Sequence, residues 1–217
     1  MAKTEPTYIF HITHVDNLSS IIEDGCLWSD RRLVDTRGER VVIGLNNIKR
    51  RRLDELPVHC HRGTRVGDYV PFYFCPRSPM LFMIHKQNPD LKYRGGQDRV
   101  VHLVSTTDSA IRAAADRPWA FSDGNAAASY TQFSADINQL PTFVDWNAVN
   151  ARWWSGQGVD PAVKSKKMAE FLVHDQFPWT SIGGIGAIQQ SIADEVQQIL
   201  ADADHKPQVA VKRDWYY

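Results

Sequence analysis

The sequence predicts an α+β fold. Two observations carry this: short β-branched and aromatic runs alternate with short helical stretches without a regular strand–helix–strand series, and a well-patterned amphipathic helix precedes a last strand-like run. With 217 residues, 43% hydrophobic and 23% charged, the chain suits one compact domain over residues 1–217 rather than a disordered or fibrous one.

Taken in order, YIFHITH has the content of a short buried strand, and Asp16 or Asn17 offers an N-cap to a helix over LSSIIEDG that ends on Gly25. Residues 29–39 are polar without apolar periodicity and predict a long loop; VVIGL follows as a brief strand-like run. Residues 48–56 form one or two helical turns, stopped by Pro57. YVPFYF is a strand, broken by the prolines of CPRSPM before LFMIHK resumes an apolar stretch. RVVHLVS reads as a central strand, DSAIRAAAD as a helix and WAFSDG as a strand running into a turn. Residues 126–131 and FVDWNAVNAR predict helices, the second capped by Asp145, and SGQGVDPAV a loop. MAEFLVHD and GGIGAIQ are strands, SIADEVQQILAD is a helix with Ile192, Val196, Ile199 and Leu200 on one face, and PQVAVKRDWYY supplies the last strand.

Basic and acidic residues balance at 25 each, so no global field draws a polyanion and any contact with nucleic acid has to be local. Cations gather at Arg31 and Arg32, at Lys49 to Arg52, and at Lys164, Lys166 and Lys167. Such a run by itself more often marks a solvated face. No apolar run reaches the roughly 18–20 residues that span a bilayer, and MAKTEPTYIF lacks the regions of a signal peptide, so a cytoplasmic protein with no membrane partner is expected. Cys26, Cys60 and Cys75 are odd in number and widely spaced, which predicts reduced thiols and no metal site.

The chain has no P-loop, dinucleotide-fold, zinc-hydrolase or serine-hydrolase motif. Polar residues set among strand-forming ones remain: His11 and Thr13 in YIFHITH, Tyr73 and Arg77 in VPFYFCPRSPM, and Glu170 in MAEFLVHD. Each has a structural alternative, since a buried His or Tyr needs only one satisfied polar end. A Glu at the head of an apolar strand is costly unless partnered, and reads either as a functional carboxylate or as half of an ion pair.

The succession HITHVDNL, IKRRR, VGDYVPFYFCPRSPML, FSDGNAA and KKMAEFLVHDQFPW resembles the DarT family, the DNA-targeting ADP-ribosyltransferase toxins of DarT-DarG toxin–antitoxin systems, from about Tyr8 to Tyr217. The resemblance implies an ADP-ribosyltransferase-like split, mixed β-sheet with NAD, the co-substrate, in the cleft between its halves. It implies that His11, Thr13, Asn17 and Tyr73 contact NAD, that Glu170 is the catalytic glutamate, and that Arg51, flanked by Arg50 and Arg52, matches an arginine implicated in catalysis at the target base. Residues 154–167 occupy the place of the acceptor-recognising loop.

Cleavage of the ribose–nicotinamide bond builds positive charge on the ribose, which a fixed carboxylate stabilises more in the transition state than in the ground state. The acceptor implied is a base in single-stranded DNA, thymine at its imide nitrogen, with guanine, RNA or protein as alternatives that the residues leave open. An arginine is always protonated, so Arg51 is expected to stabilise the developing base anion or contact phosphate. Single-stranded nucleic acid is held by cations and aromatic faces together. Arg50, Arg52, Lys166 and Lys167 supply the first, and Trp154, with Trp153 and Phe72, the second. The family also implies a partner, an antitoxin macrodomain of the DarG kind.

Overall fold

A computed structural model describes residues 6–35 and 40–217. Its strands are β1 (Tyr8–His14), β2 (Cys26–Trp28), β3 (Tyr69–Tyr73), β4 (Val100–Thr106), β5 (Trp119–Asn125), β6 (Phe133–Ser134), β7 (Ala169–His174), β8 (Gln176–Pro178), β9 (Gly184–Ala187) and β10 (Gln208–Val211). Its helices are α1 (Leu18–Glu23), α2 (Asp30–Asp35), α3 (Asn46–Asp54), α4 (Pro79–His85), α5 (Thr107–Ala114), α6 (Leu140–Phe143), α7 (Trp146–Asn150), α8 (Pro161–Lys166) and α9 (Gln190–Ile199).

Eight strands form one sheet in the order β10-β9-β4-β1-β3-β7-β5-β6, and β2 pairs with β8 in a second. The large sheet is mixed, because β9 and β10 run parallel while the other pairs are antiparallel. It is also split. β1 pairs with β4 along its whole length, from Tyr8 to His14, but meets β3 only where Phe10 faces Tyr73. The halves part at that point, and the strand ends beside the opening are free to line a cleft.

Period-two alternation places Phe171 and Val173 of β7 in the main core, with Phe72, Phe121 and Phe177. Leu172 goes to the opposite face, against Tyr69 and Ala120. Glu170 shares parity with Leu172, so a strand that is apolar on both sides up to His174 carries one carboxylate on the face away from the main core. The buried Ile192 and Val196 of α9 close that core from one side. Among the described residues, no helix is long and apolar enough to cross a membrane.

Several expectations are corrected. Residues 30–35 are helical rather than loop; no apolar stripe announces this, since Arg31 pairs with Asp68 and Arg32 with Asp175, and residues 36–39 of that predicted loop lie outside the described residues. VVIGL is not a strand, and residues 41–45 pass along the cleft without joining a ladder. Residues 126–131 are turns, because Asn125 caps the segment locally: its Oδ1 accepts from the Ala127 N–H at 2.9 Å and its carbonyl from the Thr131 hydroxyl at 2.6 Å. The predicted loop after Trp154 is cut short by α8, which starts at Pro161 with Asp160 as its cap. Asn17 precedes α1 but makes no side-chain cap bond.

Candidate active site

Five predicted positions meet in one cleft of about 410 Å³ at the split. β1 brings His11 and Thr13, the turn after it Asn17, β3 Tyr73 and β7 Glu170. Glu170 is almost fully buried, and the Arg52 guanidinium grips it with two parallel hydrogen bonds, Nη1 to Oε1 at 3.0 Å and Nη2 to Oε2 at 2.8 Å. Burial alone would pull the Arg52 pKa down; the charge and hydrogen bonds of Glu170 more than offset this and hold the group above the ordinary arginine range. A bidentate, charge-assisted fork fixes the carboxylate in one orientation.

The backbone under Glu170 is specialised as well. Phe121 faces Phe171 and Asn125 faces Ala169, so Ser122, Asp123 and Gly124 bulge opposite Glu170. The Glu170 N–H, which a regular ladder would bond to β5, donates instead to Ser122 Oγ at 2.9 Å, and that hydroxyl donates to the Gly124 carbonyl at 2.7 Å. A side chain at position 124 would meet Ser165 of α8 at 3.2 Å. The bulge thus aims Glu170 and seats α8 close to the site. Sequence reading saw SDG only as a turn; a Ser-Asp-Gly triplet inside a strand-like run was the available sign of a bulge.

His11 Nδ1 donates to the Pro71 carbonyl at 2.8 Å, since that oxygen can only accept. Burial lowers the His11 pKa, so the ring is neutral at physiological pH and its Nε2 is left as an acceptor. Tyr73 stands cross-strand from Glu170. Burial, and then the Glu170 charge, raise its pKa above the ordinary tyrosine range, so it remains a phenol able to donate. Lys49 pairs with Asp30 at 2.8 Å on the cleft wall, where Arg40 and Lys164 add further cations.

Apart from Arg52, the remaining predicted positions do not line the cleft. Arg51 points outward, pairing with Glu55 at 3.3 Å, and Arg50 is also exposed. Arg52, expected on the DNA track, is the arginine at the carboxylate. Lys166 is exposed and paired with Asp145 at 2.9 Å. Lys167 is buried, its ammonium donating to the Val149 carbonyl at 2.6 Å. Trp154 is buried edge-on against Phe82, its indole N–H donating to the Tyr217 hydroxyl at 3.1 Å, and Phe72 is fully buried. The free indole is its neighbour Trp153, 79% exposed. Among the described residues, no group of three or more His, Cys, Asp or Glu is placed to hold a metal ion.

The family model described as "ssDNA thymidine ADP-ribosyltransferase, DarT" matches residues 10–217. A DNA ADP-ribosyl transferase of Thermus aquaticus is 40% identical over 219 residues, which cover 100% of this chain and 92% of that relative. Thermus sp. 2.9 DarT in complex with ADP-ribosylated ssDNA aligns with a TM-score of 0.89 at 36% identity, covering 99% of this chain and 98% of that one. The same protein in complex with NAD+ aligns at 0.81 with 35% identity, covering 99% of both chains. Every residue of the cleft falls inside the matched span, and the chain belongs to the DarT family of NAD-dependent single-stranded-DNA thymidine ADP-ribosyltransferases.

Proposed function

We propose that Glu170 is the catalytic carboxylate with which this chain transfers ADP-ribose from NAD to thymine in single-stranded DNA, and that Arg52, rather than Arg51, is the arginine working beside it. The observation that carries this reading is the bidentate Arg52–Glu170 pair in the cleft that also collects His11, Thr13 and Tyr73. These donors and acceptors suit NAD. A neutral imidazole acceptor and a hydroxyl serve the nicotinamide riboside end, and Arg40, Lys49 and Lys164 serve the phosphates, on walls that are otherwise largely apolar.

In the reaction, the bond from ribose to nicotinamide breaks and nicotinamide leaves with the electron pair. The thymine imide nitrogen bonds to the same ribose carbon and gives up its proton to the Glu170 carboxylate or to water. Glu170 faces the positive charge that develops on the ribose, a charge absent from the ground state, so its stabilisation lowers the barrier. Arg52 holds that carboxylate ionised and oriented. Being permanently protonated, it cannot take the thymine proton and acts on the developing base anion through its charge.

Exposed groups on α8, whose Lys164 lines the cleft, bonded to it or in the segment leading to it fit the DNA strand. Trp153 offers an indole face, Tyr130 is 71% exposed with its hydroxyl donating to Ser165 of α8, and Lys164 and Lys166 of the same helix are cationic. The whole chain from 1 to 217 acts as one catalytic domain in this reading. Its co-substrates are intracellular, and the free thiols of Cys26, Cys60 and Cys75 suit a reducing compartment, which supports a cytoplasmic location. Membership of a toxin family supports an antitoxin macrodomain as partner, one that removes ADP-ribose from DNA.

The test compares Arg52→Lys and Arg51→Ala with the wild type on single-stranded oligonucleotides that contain or lack thymine, with ADP-ribose read by mass spectrometry. Arg52→Lys keeps the charge but loses the fork, and transfer to the thymine oligonucleotide is expected to fall by about 100-fold, while Arg51→Ala stays within about threefold. The reverse order would return the role to Arg51. Modification indifferent to thymine would overturn the acceptor.

A further inference from the structure

We propose that Asn17 is a positioning residue of the NAD cleft, acting through the loop wall at residues 40–45 and through the Thr13 hydroxyl rather than by its own contact with NAD. The inference rests on the reading of the cleft as the NAD site.

The Asn17 carboxamide closes a two-sided clamp on the backbone of one residue, Val41. Its Nδ2 donates to the Val41 carbonyl at 2.9 Å, and its Oδ1 accepts the Val41 N–H at 2.9 Å. The second Nδ2 hydrogen goes to Thr13 Oγ1 at 3.2 Å. Both donors of the amide are therefore used, and one acceptor lone pair is left. Asn17 is only 9% exposed, which makes each of these bonds costly to leave unmade. The missing cap bond at α1 has its explanation here, because the side chain that sequence preference would spend on the helix is spent on the wall.

What the clamp holds matters more than the clamp. Residues 40–45 all line the cleft and belong to no strand or helix, so no ladder fixes their path. Ile43 and Leu45 anchor the far end in the cluster of Leu81, Ile84 and Val100. At the near end, the ties among the described residues are the clamp on Val41, the packing of the half-buried Val41 side chain against the edge of that cluster, and the ion pair of Arg40 with Asp24. Without Asn17, the Val41 backbone keeps neither of its hydrogen bonds, and this end of the wall rests on one partly buried side chain and an ion pair that is weak in water.

The bond to Thr13 adds a second effect. Because Thr13 Oγ1 already accepts from Asn17, its own hydrogen is free to donate, and Thr13 lines the cleft. One carboxamide thus sets the position of a wall and the polarity of a hydroxyl. Both serve binding more than bond cleavage.

The experiment pairs Asn17→Ala with Val41→Pro, which deletes the N–H that the carboxamide accepts while leaving Asn17 in place. Amide hydrogen exchange of residues 40–45 is measured without NAD, and KM and kcat for NAD are measured with a saturating thymine oligonucleotide. Both variants are expected to lose protection in this segment and to raise KM for NAD by about tenfold, with a much smaller change in kcat. A raised KM in Asn17→Ala with protection intact would overturn the proposal in favour of direct contact with NAD. Lost protection with unchanged KM would overturn it by showing that the wall does not govern NAD. If the wild type transfers nothing to DNA, the reading of the active site fails separately, because the exchange data report the clamp without any substrate.

Discussion

Arg51 and Arg52 are adjacent in the chain but about 100° apart around α3, and that rotation separates a solvent ion pair from the heart of the cleft. Arg51 meets Glu55 on the surface, whereas Arg52 meets Glu170 at burial. The two should differ in stability as sharply as in activity. Removing the Arg52 side chain leaves Glu170 as an uncompensated buried charge, so Arg52→Ala is expected to cost about 3–5 kcal/mol. Arg51→Ala should stay within about 0.5 kcal/mol. Urea unfolding of both variants checks this, and equal losses would contradict the buried pair. In IKRRR nothing distinguishes the three arginines, because helical phase depends on where α3 begins. That Glu170 needs a partner was legible, since a carboxylate heading an apolar strand reads as a functional group or as half of an ion pair; only the resemblance pointed to catalysis. The burial of Lys167 and Trp154 was hidden for a related reason: KSKK and WW give composition but not the face each residue turns to.

At the scale of elements, the strands β1, β4 and β7 were legible from their short β-branched and aromatic runs, and the helix α9 from its one-sided apolar pattern. The wall at residues 40–45 and the helix α2 were not, since contacts with Asn17, Asp68 and Asp175 from distant parts of the chain define them. The β5 bulge shows how an irregular element serves the site. Ser122→Ala removes the acceptor of the Glu170 N–H at a fully buried position, and a stability loss of about 1–3 kcal/mol is expected together with reduced transfer. Thermal unfolding and single-turnover transfer measured together test this; an unaffected rate would mean that the bulge only supports the fold. In the proposed reading, the segment from Trp153 through α8 is the corresponding element for DNA. Trp153→Ala should weaken single-strand binding by about 1–3 kcal/mol with NAD affinity unchanged. Binding should also fall with salt at roughly 0.7 log units per log unit of salt for each phosphate contacted. Equal loss for NAD and DNA in a fluorescence titration would place Trp153 in the fold instead.

For the whole molecule, buried histidines are kept neutral at the cost of acid sensitivity. His102 on β4 is fully buried, its Nε2 donating to the Pro76 carbonyl at 3.0 Å, and burial lowers its pKa to about 4. Burial shifts His11 and His14 in the same direction. The unfolded chain takes up these protons below about pH 6.5, whereas native His102 does so only near pH 4. Stability is therefore complete above about pH 6.5 and declines as pH falls through that window, by on the order of 3 kcal/mol from His102 alone. Denaturation midpoints between pH 7 and 4 should show this slope, and His102→Gln should flatten it; a slope unchanged in that variant would assign the acid loss to other groups.

The most direct measurement of the central claim is single-turnover transfer of ADP-ribose to a thymine-containing single strand by Glu170→Gln, with NAD affinity measured on the same sample. Glutamine keeps the size and one acceptor oxygen for Arg52 but carries no charge for the ribose cation. The expected rate is lower by at least about 100-fold, with NAD binding within a few-fold of the wild type. A near-wild-type rate in a folded, NAD-binding Glu170→Gln protein would contradict that claim.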